Sequence, residues 1–392
     1  MRSLTFTFKV LSLCGIWLPL HWQSHRRLRL FYKIFSISTV VLTNIFILLQ
    51  GLLLALSEFD WQFLAEILFT LLTAFSVSFK ATNFLMRRDK IICLADMLLK
   101  SWCIPRNAVE IEMESRINEF LRVFTIYFNA LAQLSLACLL IMPLVQDPDK
   151  RELPFRMWLP YDIRNQWNYW STYVIEVGPM IVGILLNVTT DVVVSGFVLQ
   201  ACIQLDMLKH RLNKLPNIVK VAKRKRLASE EVVRSFERKT LHQAARHHDY
   251  IIKYAKVVTE TFDVVIVEQF FAGALIFSVI IYVLTIGKVP ILQKLMSVGY
   301  LICMLGELFA YCWFGNEITL KSLEFSDDIY KIDWMALSDS SNKKLIFIMM
   351  RATQPIIMSY GHLVILNIES FKSILKITYT AFNILKESTS TT

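Results

Sequence analysis

Seven long apolar runs, separated by hydrophilic segments, dominate the pattern of this chain. Each run is at or above the roughly 20 residues with which an α-helix crosses the hydrocarbon core of a bilayer. The runs cover residues 30–56, 63–85, 123–145, 173–201, 264–286, 295–313 and 356–385. Since a backbone in lipid must satisfy its own hydrogen bonds, they predict an all-α, polytopic membrane protein with seven transmembrane helices.

The hydrophilic segments differ in charge, and this difference predicts how the chain is oriented. Of the 42 Lys and Arg residues, 31 lie in segments 1–29, 87–122, 206–256 and 317–353, which alternate with basic-poor segments. Cytoplasmic loops collect Lys and Arg, because positive charge resists transfer across an energised bilayer. The alternation therefore predicts a cytosolic amino terminus and an extracellular carboxyl terminus.

A single membrane domain over residues 1–392 is predicted, because no repeat, low-complexity tract or flexible linker divides the chain. The apolar stretch 4–20 lacks a signal-peptide cleavage site, so we expect an interfacial or re-entrant cytosolic helix there. The segments are a cytosolic amino-terminal segment (1–29), spans one to four (30–204), a basic cytosolic segment (205–258), spans five and six (259–316), a cytosolic segment (317–355), span seven (356–385) and an extracellular tail (386–392).

Composition excludes several classes of protein. A mean hydropathy of +0.47 is too apolar for an ordinary soluble domain. The net charge of +10 needs no nucleic acid, because the basic residues lie where cytosol and anionic headgroups are expected. No glycine-rich phosphate loop or nucleophile elbow indicates an enzyme, and no cofactor is predicted. His242, His247 and His248 lack a metal-ligand pattern and are interpreted as part of a solvated helix face.

The last span differs from the other six because it carries a polar stripe at helical spacing. The stripe comprises Glu369, Lys372, Ser373, Lys376, Thr380, Asn383 and Glu387, and the apolar side chains opposite are Ile368, Phe371, Leu375, Tyr379 and Phe382. Charges at membrane depth face a partner or water rather than lipid. Two interpretations remain open: an internal Glu369–Lys372 pair with Lys side chains reaching the interface, or a stripe that lines an aqueous pore.

The pore interpretation has a consequence for assembly. One polar stripe cannot enclose a pore, so several subunits would have to surround a common axis. Ile384 would then form an apolar ring near the outer mouth, and such constrictions gate by dewetting. The candidate pore and gate residues are Ser373, Lys376, Thr380, Asn383, Ile384 and Glu387.

The carboxyl-terminal 80 residues resemble the insect odorant receptor family. The resemblance lies in Tyr311-Cys312-Trp313-Phe314-Gly315-Asn316-Glu317, Tyr330-x-x-x-Trp334, Met349-Met350-Arg351-x-x-x-Pro355 and the run from Leu366-Asn367 through Tyr379 and Phe382 to Leu385. Leu13-Cys14-Gly15-Ile16-Trp17 and His248 are similar to that family as well. The chain looks like a ligand-tuned member, because it lacks the co-receptor's longer loop after span four.

This resemblance implies a ligand-gated, non-selective cation channel. It would be a heterotetramer with odorant receptor co-receptor subunits in the plasma membrane of a sensory neuron dendrite, and it would need no G protein. The cytosolic ends of spans four to seven would form an anchor where subunits meet. That anchor would comprise residues 205–258, 313–351 and a helix over 342–350, so that 317–355 is its main segment.

The family's pocket for small volatile ligands lies among spans two, three, four and six, in the outer half of the bundle. The resemblance therefore implies the odorant-binding residues Phe69, Thr73, Ser76, Leu134, Cys138, Val177, Met180, Ile184, Tyr300 and Met304. Asp191 and Glu307 are expected to meet polar partners within the bundle instead. Two alternatives stay open: a gustatory-type channel that assembles without a co-receptor, and a transporter with substrate-coupled flux.

Overall fold

A computed structural model describes residues 4–19, 22, 25–57, 61–146, 153–163, 165–225, 229–286, 291–361 and 363–390. The described elements in chain order are α1 (Thr5–Leu13), α2 (Arg26–Leu56), α3 (Trp61–Met86), α4 (Arg88–Met97), α5 (Ala108–Gln146), α6 (Gln166–Arg224), α7 (Glu230–Ile286), α8 (Ile291–Tyr330), a 3-10 helix (Trp334–Ala336), α9 (Asp339–Ala352), β1 (Ser359–Tyr360), β2 (Val364–Ile365) and α10 (Ile368–Ser390). The predicted all-α class is confirmed, with one small two-stranded hairpin added.

Helices α2, α3, α5, α6, α7 and α8 are long and apolar enough to cross a membrane, and each overlaps one of the first six predicted runs. The seventh predicted span corresponds to α10, which has 23 residues. It carries Glu369 in its first turn and Lys372 and Lys376 further along, so its apolar signal is weaker than that of the others. Charge at membrane depth is costly, and it marks α10 as the helix that needs an aqueous or polar neighbour.

The basic segment 205–258 is mostly helical rather than a loop. Helix α6 runs for 59 residues to Arg224, and α7 begins at Glu230 and runs for 57. At 1.5 Å per residue each helix is roughly 85 Å long, far beyond the roughly 30 Å of a hydrocarbon core. Both helices therefore extend well beyond the bilayer at their predicted cytosolic ends.

The predicted start of the last span, residue 356, is wrong. The helix begins at Ile368, and residues 356–367 carry the β1–β2 hairpin, whose turn has Gly361 at φ +57°. The backbone here bonds to α8: Ser322 Oγ accepts from the amide of Ile356, and Thr319 donates to its carbonyl. These tertiary bonds satisfy the backbone without a helix, although the run is mostly apolar.

The amino-terminal helix α1 is packed against α5 and α6. Its Leu4, Phe8 and Leu11 side chains are buried, and the ring of Phe8 lies 4.6 Å from that of Trp17. The close approach depends on Gly196 of α6, because a Cβ there would lie 2.3 Å from Leu4. This segment is thus part of the main core, which also includes α3, α6, α7, α8 and α9.

A second, smaller core lies near the opposite ends of the spans. It joins Phe46, Ala74, Leu136, Leu140 and Phe155. The segment 153–163 reaches this core and is held there by hydrogen bonds. The amide of Phe155 donates to Glu176 at 3.0 Å, the amide of Trp158 donates to the carbonyl of Leu49, and Gln50 donates to the carbonyl of Arg156. These bonds close the end of the bundle that the charge pattern predicts to be extracellular.

Candidate ligand site and pore helix

Four of the predicted ligand residues meet between α3 and α8. The rings of Phe69 and Tyr300 are 4.9 Å apart and nearly perpendicular, which is a favourable aromatic arrangement. The Tyr300 hydroxyl lies 3.0 Å from Thr73 Oγ, and Thr73 also bonds to the Phe69 carbonyl at 2.8 Å. Met304, one turn beyond Tyr300, is buried. We call Phe69, Thr73, Tyr300 and Met304 the Tyr300 cluster.

The remaining predicted ligand residues do not all converge on this cluster. Val177, Met180 and Ile184 of α6 pack against the smaller core, which α3 also contributes to through Ala74. Ser76 is buried on α3, and Cys138 is half-buried on α5. Leu134 is 62% exposed. The structure therefore places Leu134 on the outer surface of the chain, while α3 contributes both to the Tyr300 cluster and to the smaller core on which Val177, Met180 and Ile184 pack.

Beyond the Tyr300 cluster lies a buried polar network that sequence reasoning only partly anticipated. The Lys80 ammonium, fully buried on α3, lies 2.7 and 2.8 Å from the two carboxylate oxygens of Asp191 and 2.8 Å from Asn187. The Tyr311 hydroxyl donates to Asp191 at 2.7 Å, and Asn187 donates to Glu307 at 3.3 Å. The expectation that Asp191 and Glu307 meet polar partners is confirmed.

Lys80 was the missed member of this network. The sequence shows one cation in span two, Lys80, and two carboxylates in span four, Glu176 and Asp191. Such opposite charges within apolar spans are the signal that could have indicated a buried pair. A buried charge is tolerated when it is paired and hydrogen-bonded. The network joins α3, α6 and α8 at one point in the bundle.

On α10, the polar stripe and the packed face lie on opposite sides. Ile374 and Thr378 are buried against the bundle, whereas Ser373, Lys376 and Thr380 are exposed. At 100° per residue these two sets point in opposite directions. The stripe therefore faces away from the subunit's own helices.

The remaining stripe residues differ in exposure and in their partners. Asn383 is half-buried, Ile384 is 63% exposed, and the side chain of Glu387 lies outside the described part of the structure. Lys372 pairs with Glu369 at 2.7 Å, as the alternative interpretation of an internal pair expected. Two predicted members of the opposite apolar face, Leu375 and Tyr379, are exposed because the packed face is centred closer to Ile374 and Thr378.

The interpretation of a solvated histidine face is wrong for His247 and His248, although His242 is exposed. The imidazole of His247 lies 2.9 Å from Gln204 Oε1, and the ring of His248 stacks on Phe325 at 5.1 Å. Burial, with help from nearby arginines, lowers the pKa of His247 to about 3 and that of His248 to about 4. In the part of the chain that the structure describes, no group of three His, Cys, Asp or Glu side chains could hold a metal ion.

A buried ion pair fixes the start of α5, which is predicted to be cytosolic, against α6. Arg211 bonds Glu110 through two contacts, Nη2 to Oε2 at 2.7 Å and Nε to Oε1 at 3.0 Å, and the amide of Arg106 also donates to Glu110. Burial alone would raise the pKa of the Glu110 carboxyl, but the bonds and charge of Arg211 outweigh it and hold the pKa below its ordinary value. Bidentate Arg–carboxylate pairs of this kind are strong and geometrically specific.

Comparison with known proteins decides the family. Residues 60–379 match the family model described as 7tm Odorant receptor. The chain belongs to the odorant receptor family. Odorant receptor 46a, isoform B, of Drosophila melanogaster is 23% identical over 390 residues, which cover 96% of this chain and 95% of that receptor. Odorant receptor 10 of Aedes albopictus is 22% identical over 266 residues, 68% of each chain.

Solved odorant receptor structures share the fold. The olfactory receptor OR5 of Machilis hrabei superposes with a TM-score of 0.80 at 14% identity and covers 97% of both chains. The same receptor in complex with eugenol gives a TM-score of 0.81 at 16% identity, over 98% of this chain and 97% of that one. The seven-transmembrane, all-α architecture predicted from the apolar runs is confirmed by these matches.

Proposed function

We propose that this odorant receptor is the odorant-binding subunit of a ligand-gated, non-selective cation channel. It assembles with co-receptor subunits as a heterotetramer in the plasma membrane of a sensory neuron dendrite, without a G protein. A small volatile ligand binds in the outer half of the bundle, and binding opens a pore lined by α10 for permeant cations. The observation that carries the proposal is the exposed polar stripe of α10, opposite the face that packs on the bundle.

The polar stripe supports a pore because its described hydrogen bonds stay within α10: Lys372 pairs with Glu369, and Ser373 and Thr380 donate to carbonyls one turn earlier. Lys376 and Thr380 are exposed on the side remote from α7 and α8, so within this subunit nothing described covers them. Lipid is a poor neighbour for such a face, whereas water along an axis shared by several subunits would solvate it. Lys372 and Glu369 form their pair at one end of the stripe, so the pair and the pore are compatible.

The ligand assignment is supported by chemistry at the Tyr300 cluster. Volatile ligands suit sites that are mainly apolar with a few polar groups to orient them. The cluster offers the aromatic ring of Phe69 and the hydroxyls of Thr73 and Tyr300 on two different spans. Eugenol is bound by OR5 of Machilis hrabei, whose fold this chain shares.

The deciding experiment is whole-cell recording in a heterologous cell, with and without an insect co-receptor, with G-protein signalling blocked. We expect volatiles to evoke a fast cation current only when the co-receptor is present. Current from this chain alone would replace the heteromer with the gustatory-type channel. Saturable flux that is coupled to one substrate would identify a transporter.

A matched pair of cysteine variants tests the pore. Thr380→Cys lies on the exposed stripe and Thr378→Cys on the packed face, so the two differ in position and not in chemistry. A charged methanethiosulfonate applied during ligand-evoked current should block or alter the current of Thr380→Cys and leave that of Thr378→Cys close to the unsubstituted receptor. Equal modification of both variants, or of neither, would show that α10 does not line the pore.

A further inference from the structure

The hydrogen bond between Thr73 and Tyr300 has a defined direction. The Thr73 hydroxyl has one proton, and its oxygen lies 2.8 Å from the carbonyl of Phe69, which can only accept. Thr73 therefore donates to that carbonyl, as Ser and Thr commonly do to the residue four positions earlier in a helix. The Tyr300 hydroxyl, 3.0 Å from Thr73 Oγ, must then donate its own proton to Thr73.

This direction decides what Tyr300 can offer a ligand. With its proton committed to Thr73, the phenol oxygen of Tyr300 retains only lone pairs, which accept a hydrogen bond. The lone pairs of a ligand carbonyl or ether oxygen would face the lone pairs of the Tyr300 oxygen. Such a ligand could accept a hydrogen bond from Tyr300 only if the Tyr300–Thr73 bond broke. A ligand hydroxyl could donate to Tyr300 and leave both existing bonds in place.

The surroundings favour a neutral ligand. The ring of Phe69 stands against that of Tyr300, and Met304 lies one turn further along α8. Glu307, two turns from Tyr300 on the same helix, is buried, and the one buried ammonium of this network, Lys80, is already paired with Asp191. An anionic ligand would gain no free cation from the described network.

We infer that the Thr73–Tyr300 pair makes this receptor selective for volatiles with a hydroxyl group, namely alcohols and phenols, over the corresponding carbonyl compounds and methyl ethers. The inference rests on the proposed odorant-gated function. It concerns one polar contact, so skeleton size and shape are set by other residues. The site recognises a hydrogen-bond donor on the ligand.

The test uses matched sets of volatiles on the complete receptor with its co-receptor. Each set contains an alcohol, its methyl ether and the corresponding aldehyde, for example 1-hexanol, hexyl methyl ether and hexanal, or benzyl alcohol, benzyl methyl ether and benzaldehyde. In the sets that evoke current, the alcohol should be effective at about tenfold lower concentration than its ether, as expected for one hydrogen bond.

Two variants separate recognition from packing. Tyr300→Phe removes the acceptor, so alcohol and ether should become equally effective. Thr73→Val keeps the shape but removes the oxygen to which Tyr300 donates, so the freed Tyr300 proton should shift the preference toward aldehyde and ether. Thr82→Val is the control, because Thr82 on the same helix is exposed and donates to the carbonyl of Ser78.

The outcomes are distinct. A smaller alcohol preference in Thr73→Val than in the unsubstituted receptor, together with an unchanged preference in Thr82→Val, would establish the inference. Equal loss of response to all three volatiles in Thr73→Val, or an alcohol preference that persists in Tyr300→Phe, would overturn it and leave the contact as a packing bond. A surface-expressed complex that no volatile opens would contradict the proposed function itself, whereas currents without hydroxyl preference would contradict only the inference.

Discussion

At the scale of single residues, Lys80 shows how one side chain constrains its neighbours. An ammonium buried in a helix bundle is tolerated only with an anion and further acceptors around it, and Asp191 and Asn187 supply these. Asp191 in turn accepts from Tyr311, which ties α8 to the same point. The separate charges could be predicted from the sequence, but their pairing could not, because partner choice depends on how three helices pack.

Removing one member of this pair should cost more than removing both. Lys80→Met removes the ammonium from Asp191 and leaves Tyr311 as a donor to that side chain, and breaking a buried pair costs about 3–5 kcal/mol. The melting temperature of the purified complex should therefore fall. Lys80→Met with Asp191→Leu removes both charges and should recover most of the loss. Thermal denaturation followed by size-exclusion chromatography measures this.

An exposed ion pair provides the control for that experiment. Arg116 and Glu112 lie 2.7 Å apart on the surface of α5, and exposed pairs contribute about 0–1 kcal/mol. Arg116→Ala should therefore leave the melting temperature unchanged within error. If the double variant were no more stable than Lys80→Met alone, the ion pair with Asp191 would not be what stabilises the buried Lys80 ammonium.

The buried histidines predict a loss of stability in acid. In the folded chain the pKa of His247 is about 3 and that of His248 about 4, against an ordinary value of 6.5. Below pH 6.5 the unfolded chain binds protons that the folded chain does not, so the free energy of unfolding falls as the pH falls. At pH 5.5 each histidine should cost about 1.4 kcal/mol relative to pH 7.5.

Melting temperatures recorded between pH 7.5 and 5.5 check this sign. His247→Gln keeps a hydrogen-bonding group near Gln204 and removes the titration, so the pH dependence should become shallower. His242→Gln at the exposed position should leave it as it is. A melting temperature that rises on acidification would contradict the low pKa assigned to the buried histidines. A pH dependence that is equally steep in His247→Gln would contradict the low pKa of His247.

At the scale of elements, helix ends set by local sequence were predictable and those set by tertiary contacts were not. The predicted helix over 342–350 lies within α9, which ends three residues before Pro355. Residues 356–367 are as apolar as the helix that follows, so the hydropathy pattern alone predicts one continuous span. Their extended backbone depends on Ser322 and Thr319, more than 30 residues away, and Asn367 then caps α10 through the amide of Ser370.

The junction between the hairpin and α10 tolerates no side chain at Gly315. A Cβ there would lie 2.2 Å from the Leu366 side chain and 2.6 Å from its carbonyl oxygen. Gly315→Ala should therefore displace the backbone that leads into α10 and lower the melting temperature, since overpacking costs about 1–3 kcal/mol. Gly178→Ala is the control, because nothing lies within 4 Å of a Cβ there. Equal stability of the two variants would refute the contact.

At the scale of the whole molecule, apolar side chains remain uncovered at the predicted cytosolic end. Phe347 on α9 is 71% exposed, and Met350 on the same helix is exposed as well. Water is an unfavourable neighbour for these side chains, while a second subunit would remove them from it. The sequence predicted an anchor over 317–355 from family resemblance, and the single chain supplies a surface suited to it.

Phe347→Arg should weaken assembly without unfolding the subunit, because the side chain makes little contact with its own chain. The fraction of this receptor that co-purifies with the co-receptor should fall several-fold, since burying an unpaired charge at an interface is costly. Ile111→Arg is the control, because Ile111 is 58% exposed on α5 outside the predicted anchor. Similar co-purification of both variants would place the subunit contact elsewhere.

The unbroken length of α6 also limits how this gene can change. Inserting one residue anywhere in a helix turns everything beyond it by 100° and shifts it by 1.5 Å. In α6 such an insertion between Ile184 and Asp191, or between Asp191 and Arg211, would break the register among the predicted odorant-binding residues, the Lys80 pair and the Glu110 pair. Side chains of α6 outside these contacts can be substituted without disturbing the register, whereas insertions and deletions are tolerated best in the connections between helices.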